Sequence, residues 1–79
     1  MIKYSLEFIL NTFNTPQDSV KASLTEFVED LQVIPAGEAA EGGHNFKVNL
    51  TVEDPTLVFD ICAQFGRIKS VKIDEKNAP

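Results

Sequence analysis

The sequence predicts an α+β domain: a βαββαβ sandwich whose four-stranded antiparallel sheet, in order 4-1-3-2, carries two helices on one face. Three observations predict it. The stretch from Phe46 to Ile73 reads strand, helix, strand; the first forty residues repeat that plan; and a glycine-bearing segment, EAAEGGH at 38–44, joins the two halves. Each crossover helix returns the chain parallel to its starting strand, and right-handed connections then interleave the halves.

The elements follow in order. Ile2, Tyr4, Leu6, Phe8 and Leu10 alternate with Lys3, Ser5, Glu7 and Ile9, which is the period of a half-buried strand. Asn11 to Thr15 read as a polar loop, and Thr15-Pro16-Gln17-Asp18 as a helix start with Thr15 at the N-cap. Val20, Leu24, Phe27, Val28 and Leu31 share one side of a helical wheel. Leu31 to Ala36 form a shorter strand that Pro35 marks as an edge, and Glu38 to His44 connect it to the next. Phe46, Val48, Leu50 and Val52 alternate with Lys47, Asn49, Thr51 and Glu53 in a central strand.

Asp54-Pro55 ends that strand and caps a helix, in which Leu57, Val58, Ile61, Cys62 and Phe65 recur at helical spacing. Gly66 reads as its C-cap. Ile68, Val71 and Ile73 make a last strand kept partly wet by Lys69 and Lys72, and the tail DEKNAP is expected to fray.

Composition narrows the function classes. Seventy-nine residues make one domain, 1–79, near the size at which a single core folds unaided, so association between copies is expected. A net charge of −5 argues against nucleic-acid and anionic-membrane partners. One cysteine leaves neither an internal disulfide nor a zinc framework. The start MIKYSLEFIL is too short and too charged for a signal peptide, and no run reaches the length of a membrane span, so a cytoplasmic location is expected.

Candidate chemistry is sparse. His44 stands in a hairpin and reads as solvated; Cys62 lies on the apolar side of the second helix and reads as a small core residue. Glu53-Asp54 and Asp74-Glu75 lack the spacing of a calcium loop. No catalytic residue, metal ligand or cofactor is expected, and the arginine in a glycine-rich loop on which acylphosphatases depend is missing after the first strand. The loop Asn11, Asn14, Thr15, Gln17 offers polar side chains beside a helix N-terminus, a setting that suits carboxylates or phosphates. The second strand, with Val33 and Ile34 and no charge before Glu38, is the less guarded edge; Phe59 lies off the main stripe of its helix as exposed aromatic surface.

Two resemblances bear on function. FDICAQFGRIKSVKI, residues 59–73, resembles the helix-and-strand segment of RNA-recognition-motif domains, which bind RNA on aromatic residues of the two central strands. Here that face is expected to carry Lys3, Ser5, Glu7 and Ile9 beside Lys47, Asn49 and Thr51, with no aromatic, and the segment falls in the second half rather than the first. No nucleic-acid partner is expected.

Asn14-Thr15-Pro16 opening the first helix, with Gly66-Arg67-Ile68-Lys69-Ser70-Val71 before the last strand, resembles ACT-type regulatory domains of the ferredoxin-like fold. That resemblance implies a homodimer binding an amino acid or other small effector near the first loop, at Asn11, Asn14, Thr15 and Gln17. It departs from the family's Asp-x-Pro-Gly at both outer positions, and Gln17 in place of glycine obstructs close backbone approach. The expectation is a small non-enzymatic regulatory or interaction domain. Phe59 is expected to add to the contact surface of such a dimer, and the alternative is a ligand-free adaptor docking a partner on the second-strand edge at Val33 and Ile34.

Overall fold

The computed structural model describes residues 2–40 and 42–76. They form β1 (Lys3–Thr12), α1 (Gln17–Leu24), β2 (Glu29–Glu38), β3 (His44–Val52), α2 (Pro55–Ala63) and β4 (Gly66–Lys76). The sheet order is β2-β3-β1-β4 with every pairing antiparallel, which is the expected order read from the opposite edge.

Alternation in the central strands sets the core. Leu6, Phe8 and Leu10 of β1 and Phe46, Val48, Leu50 and Val52 of β3 are buried on one face. Val20 and Leu24 of α1 and Val58 and Cys62 of α2 join the same cluster, so both helices cover that one face. Tyr4 packs against it from the end of β1. Phe8, fully buried, meets Phe59 edge-on at a centroid distance of 5.9 Å, a geometry that adds about 0.5–1.5 kcal/mol to simple burial.

Several local expectations are corrected. β1 runs on through Asn11 and Thr12, both buried, so the polar loop begins only at Phe13. Pro16, not Thr15, is the N-cap of α1, and no side chain caps it; the Thr15 carbonyl instead accepts from the Thr12 hydroxyl at 3.1 Å. The helix ends at Leu24, where Thr25 closes on the Lys21 carbonyl through both its N–H and its hydroxyl. Phe27, expected on the buried stripe, is 49% exposed in the turn that follows, while Val28 and Leu31 reach the core from turn and strand. The early helix end frees Glu29 to pair with Thr51, giving β2 ladder bonds that a longer helix would forgo.

In the second half, Asp54 caps α2 as expected, accepting from the Thr56 N–H at 3.1 Å. Gly66 is not its C-cap. Gln64 closes the helix in right-handed conformation, and Gly66 begins β4 without a positive φ. Asp74 to Lys76, expected in a frayed tail, belong to β4, whereas 77–79 lie outside the described residues.

Both edge strands are bulged. β2 carries an extra residue between Glu29 and Gln32, with Asp30 at φ 53°, and another between Pro35 and Glu38, with Gly37 at φ 85°. β4 carries one extra residue opposite the step from Glu7 to Ile9, with Ser70 at φ 54°. Bulges of this kind bend an edge and interrupt its use as a pairing template.

Candidate functional site

The first-loop residues are mostly occupied within the fold. The Asn11 amide donates to the Gly42 carbonyl and to Asn45 Oδ1, both at 3.1 Å, and so ties β1 to the hairpin between β2 and β3. Gln17 donates to the Val33 carbonyl at 2.6 Å, fastening the start of α1 to β2. Thr15 is half-buried and holds Thr12 through its carbonyl; Asn14 is exposed. A set expected to converge on a ligand is thus divided among three internal contacts and one surface position.

The second-strand edge is likewise better guarded than its composition implies. Val33 is 3% exposed and faces the core, which leaves Ile34, at 47%, as the surface residue of the pair. Gln17 takes up an outward carbonyl, Pro35 brings no N–H, and a bulge stands on either side. Phe59, expected as exposed aromatic surface, is half-buried against Phe8.

Of the reactive groups, Cys62 is fully buried and burial pushes its thiol up to about 11. Such a group is protonated and inaccessible at neutral pH. His44 is exposed at the start of β3. Among the described residues, no group of three or more His, Cys, Asp or Glu could hold a metal, and no helix is long and apolar enough to cross a membrane.

Two clefts open at opposite ends of the sheet. One, of about 360 Å³, lies between Lys3 and Glu29, the turn at Phe27 and the start of α2 at Asp54 and Leu57. Lys3 bridges both Glu29 oxygens there, at 2.8 and 2.9 Å; that bond holds the Glu29 carboxyl below and the Lys3 ammonium above their ordinary ranges. The other, of about 270 Å³, is lined by Asn11, Phe13, Gly66 and Arg67. Phe13 is 63% exposed and sits beside Gly42.

The uncovered face of the sheet carries the most distinctive pattern. Register places Ile34, Lys47, Ile9 and Lys69 in one row across all four strands, and Gln32, Asn49, Glu7 and Lys72 in the next. Glu7 accepts from Lys47 at 3.1 Å and lies 3.5 Å from Lys72; the Lys47 bond foremost holds its carboxyl below the ordinary range. Lys3, Lys47, Arg67, Lys69, Lys72 and Lys76, six of the chain's seven basic residues, fall on this face. Glu7, Glu29 and Asp74 oppose them in the paired register and Asp30 lies 3.9 Å from Lys76, a balance of +2 on a chain of −5.

The sequence places Lys3, Ser5, Glu7 and Ile9 beside Lys47, Asn49 and Thr51 on this face, as the register does, but not the β4 members, at 67, 69, 72, 74 and 76, which break strict alternation between 69 and 72. The bulge at Ser70 absorbs the extra residue and returns Lys72 to the face of Lys69. No family model, no curated protein and no solved structure matches the chain.

Proposed function

We propose that this chain is a small non-enzymatic interaction domain of the ferredoxin-like type that works as a homodimer joined through β4. One observation carries the reading: the far half of β4 is apolar and open on the side where the helices should cover it. Val71 is 44% and Ile73 49% exposed, although Ile73 stands beside the buried Leu6. A second β4 running antiparallel, with Ile73 opposite Ile73, would bury both side chains and place each Lys72 opposite Asp74 of the other copy. Lys72 and Asp74 lie on the same face of β4, so the pairing is complementary in charge as well as shape. The segment lies beyond the bulge at Ser70 and is free of proline.

Light scattering at concentrations of tens of micromolar, where moderate dimers assemble, is expected to give twice the monomer mass. Ile73→Lys should return a monomer, and Ile34→Lys on the opposite edge should not. A monomeric wild type, or an Ile73→Lys protein still dimeric, would overturn the proposal.

A further inference from the structure

We infer that the cleft of about 360 Å³ at the Lys3 end of the sheet binds a small organic cation, a primary ammonium on an apolar body. The reasoning starts from the charges that have no partner. Glu29 is held by Lys3, and Asp54 caps α2 through the Thr56 N–H. Glu26, in the turn after α1, and Glu53, in the turn before α2, have neither an ion pair nor a hydrogen bond among the described residues. Two turns distant in sequence thus bring two free carboxylates to one cleft. Lys3, the one base among the described residues that line it, is already matched by Glu29, so the charge left over is negative.

A second observation is independent of those acids. Thr51, only 5% exposed, lines the cleft, and its hydroxyl has no hydrogen-bond partner among the described residues. No described side-chain oxygen or nitrogen is sealed off without a partner, so the Thr51 oxygen keeps its access through the cleft. A nearly buried hydroxyl left unpaired is unfavourable. An ammonium carries three N–H donors and no acceptor, which suits this oxygen and the carboxylates together.

The walls select the rest of the ligand. Phe27 is 49% and Leu57 37% exposed at the cleft, and Val28 and Val52 line it more deeply. An aromatic face beside carboxylates attracts an organic cation, whereas a hydrated metal ion would use none of these side chains. Among the described residues no group of three or more His, Cys, Asp or Glu could hold a metal in any case. At about 30 Å³ for each water the cleft equals about a dozen waters, room for a ligand of about ten non-hydrogen atoms. None of its lining residues belongs to β4, so this inference does not rest on the dimer.

The test is an amide chemical-shift titration with phenethylammonium at millimolar concentration, where a ligand of this size binds. Shifts are expected at Phe27, Thr51 and Leu57 and not at Phe13 and Arg67 beside the other cleft. Phenethyl alcohol, which lacks the charge, and propylammonium, which lacks the ring, should each bind about fivefold more weakly or worse. Glu26→Gln and Glu53→Gln should each weaken the amine about two- to fivefold, and Asp60→Asn on the exposed side of α2 should leave it unchanged. Lys3→Met, which frees Glu29, should tighten it. The glutamine variants replace exposed side chains, and equal thermal midpoints confirm that they fold. A titration with N-acetyl-lysine amide identifies the source: weaker binding than phenethylammonium assigns a free amine, and tighter binding assigns a lysine side chain of a partner protein. No binding of either ammonium, alcohol binding as tight as the amine, indifference to both glutamine substitutions, or shifts confined to the other cleft would each overturn the inference.

Discussion

Replacing Gly66 by alanine tests how β4 is attached. A Cβ at Gly66 would overlap the Asn11 carbonyl oxygen, lie 2.8 Å from the Asn11 carbonyl carbon and 3.2 Å from Thr12 Cα. All three are backbone atoms of β1, and β1 cannot recede, because Asn11 and Thr12 are buried and Asn11 anchors the hairpin. The start of β4 must therefore peel away, surrendering the Thr12–Gly66 and Asn11–Arg67 pairs and loosening Ile68 beside Leu10. Two ladder bonds at about 1 kcal/mol each and partial exposure of an isoleucine at about 1–2 kcal/mol give a loss of about 3–4 kcal/mol. A chain of 79 residues has only about 4–12 kcal/mol in total.

Urea unfolding followed by circular dichroism reads this directly. With a slope near 1 kcal/mol/M for so small a domain, the midpoint of Gly66→Ala should fall by about 3 M. Gly37→Ala is the internal comparison: its φ is +85° but nothing lies within 4 Å of the new Cβ, so only the left-handed backbone cost of about 1–2 kcal/mol applies. Gly66→Asn separates close approach from helix capping. Asparagine tolerates a left-handed C-cap, so a capping role would make it the mildest change, whereas close approach makes it at least as damaging as alanine. A Gly66→Ala protein within 1 kcal/mol of wild type, or one less damaged than Gly37→Ala, would refute the reasoning.

Three further outcomes are expected. Asn11→Ala should cost about 1–3 kcal/mol by stripping the Gly42 carbonyl and Asn45 of a donor; hydrogen exchange should speed up across 39–45 more than in the helices. Glu7 and Glu29 have depressed carboxyl values, so the stability they contribute is present above the ordinary 4.5 and lost as pH falls through their folded values. Lys3 is raised, so its contribution is present below 10.5 and lost as pH climbs through its folded value; thermal midpoints against pH should show both declines shallow and reduced by salt, and Lys3→Met should flatten the alkaline one. Cys62, buried with its thiol pushed up to about 11, should react with a disulfide reagent only as fast as the chain unfolds; a rapid burst at neutral pH would contradict its placement.

The architecture was legible where side chains repeat with the backbone. Leu6, Phe8 and Leu10, and Val48, Leu50 and Val52, follow the strand period, and that period alone orients both central strands. Legibility failed where one spacing served two backbones. Val20, Leu24, Phe27, Val28 and Leu31 satisfy a helical wheel, yet the chain leaves the helix after Leu24, and Val28 and Leu31 reach the same core by another route. It failed also where polar residues are structural. Asn11 and Thr12 resemble a loop until the partners of their side chains, Gly42, Asn45 and the Thr15 carbonyl, are known, and two of those lie more than thirty residues away.

The charge gathered on the uncovered face was hidden for a different reason. Net charge is a sum, whereas recognition responds to its distribution over distances near the screening length. A total of −5 says nothing of where the cations stand. Two features sort them: the pleat, which sends Lys3 and Lys47 away from the helices, and the bulge at Ser70, which keeps Lys72, Asp74 and Lys76 in phase with Arg67 and Lys69. Ser70 adopts φ 54° without being glycine, so no residue type announced the bulge. Without it one of the two groups would face the helix layer, and the uncovered face would lose most of its positive balance.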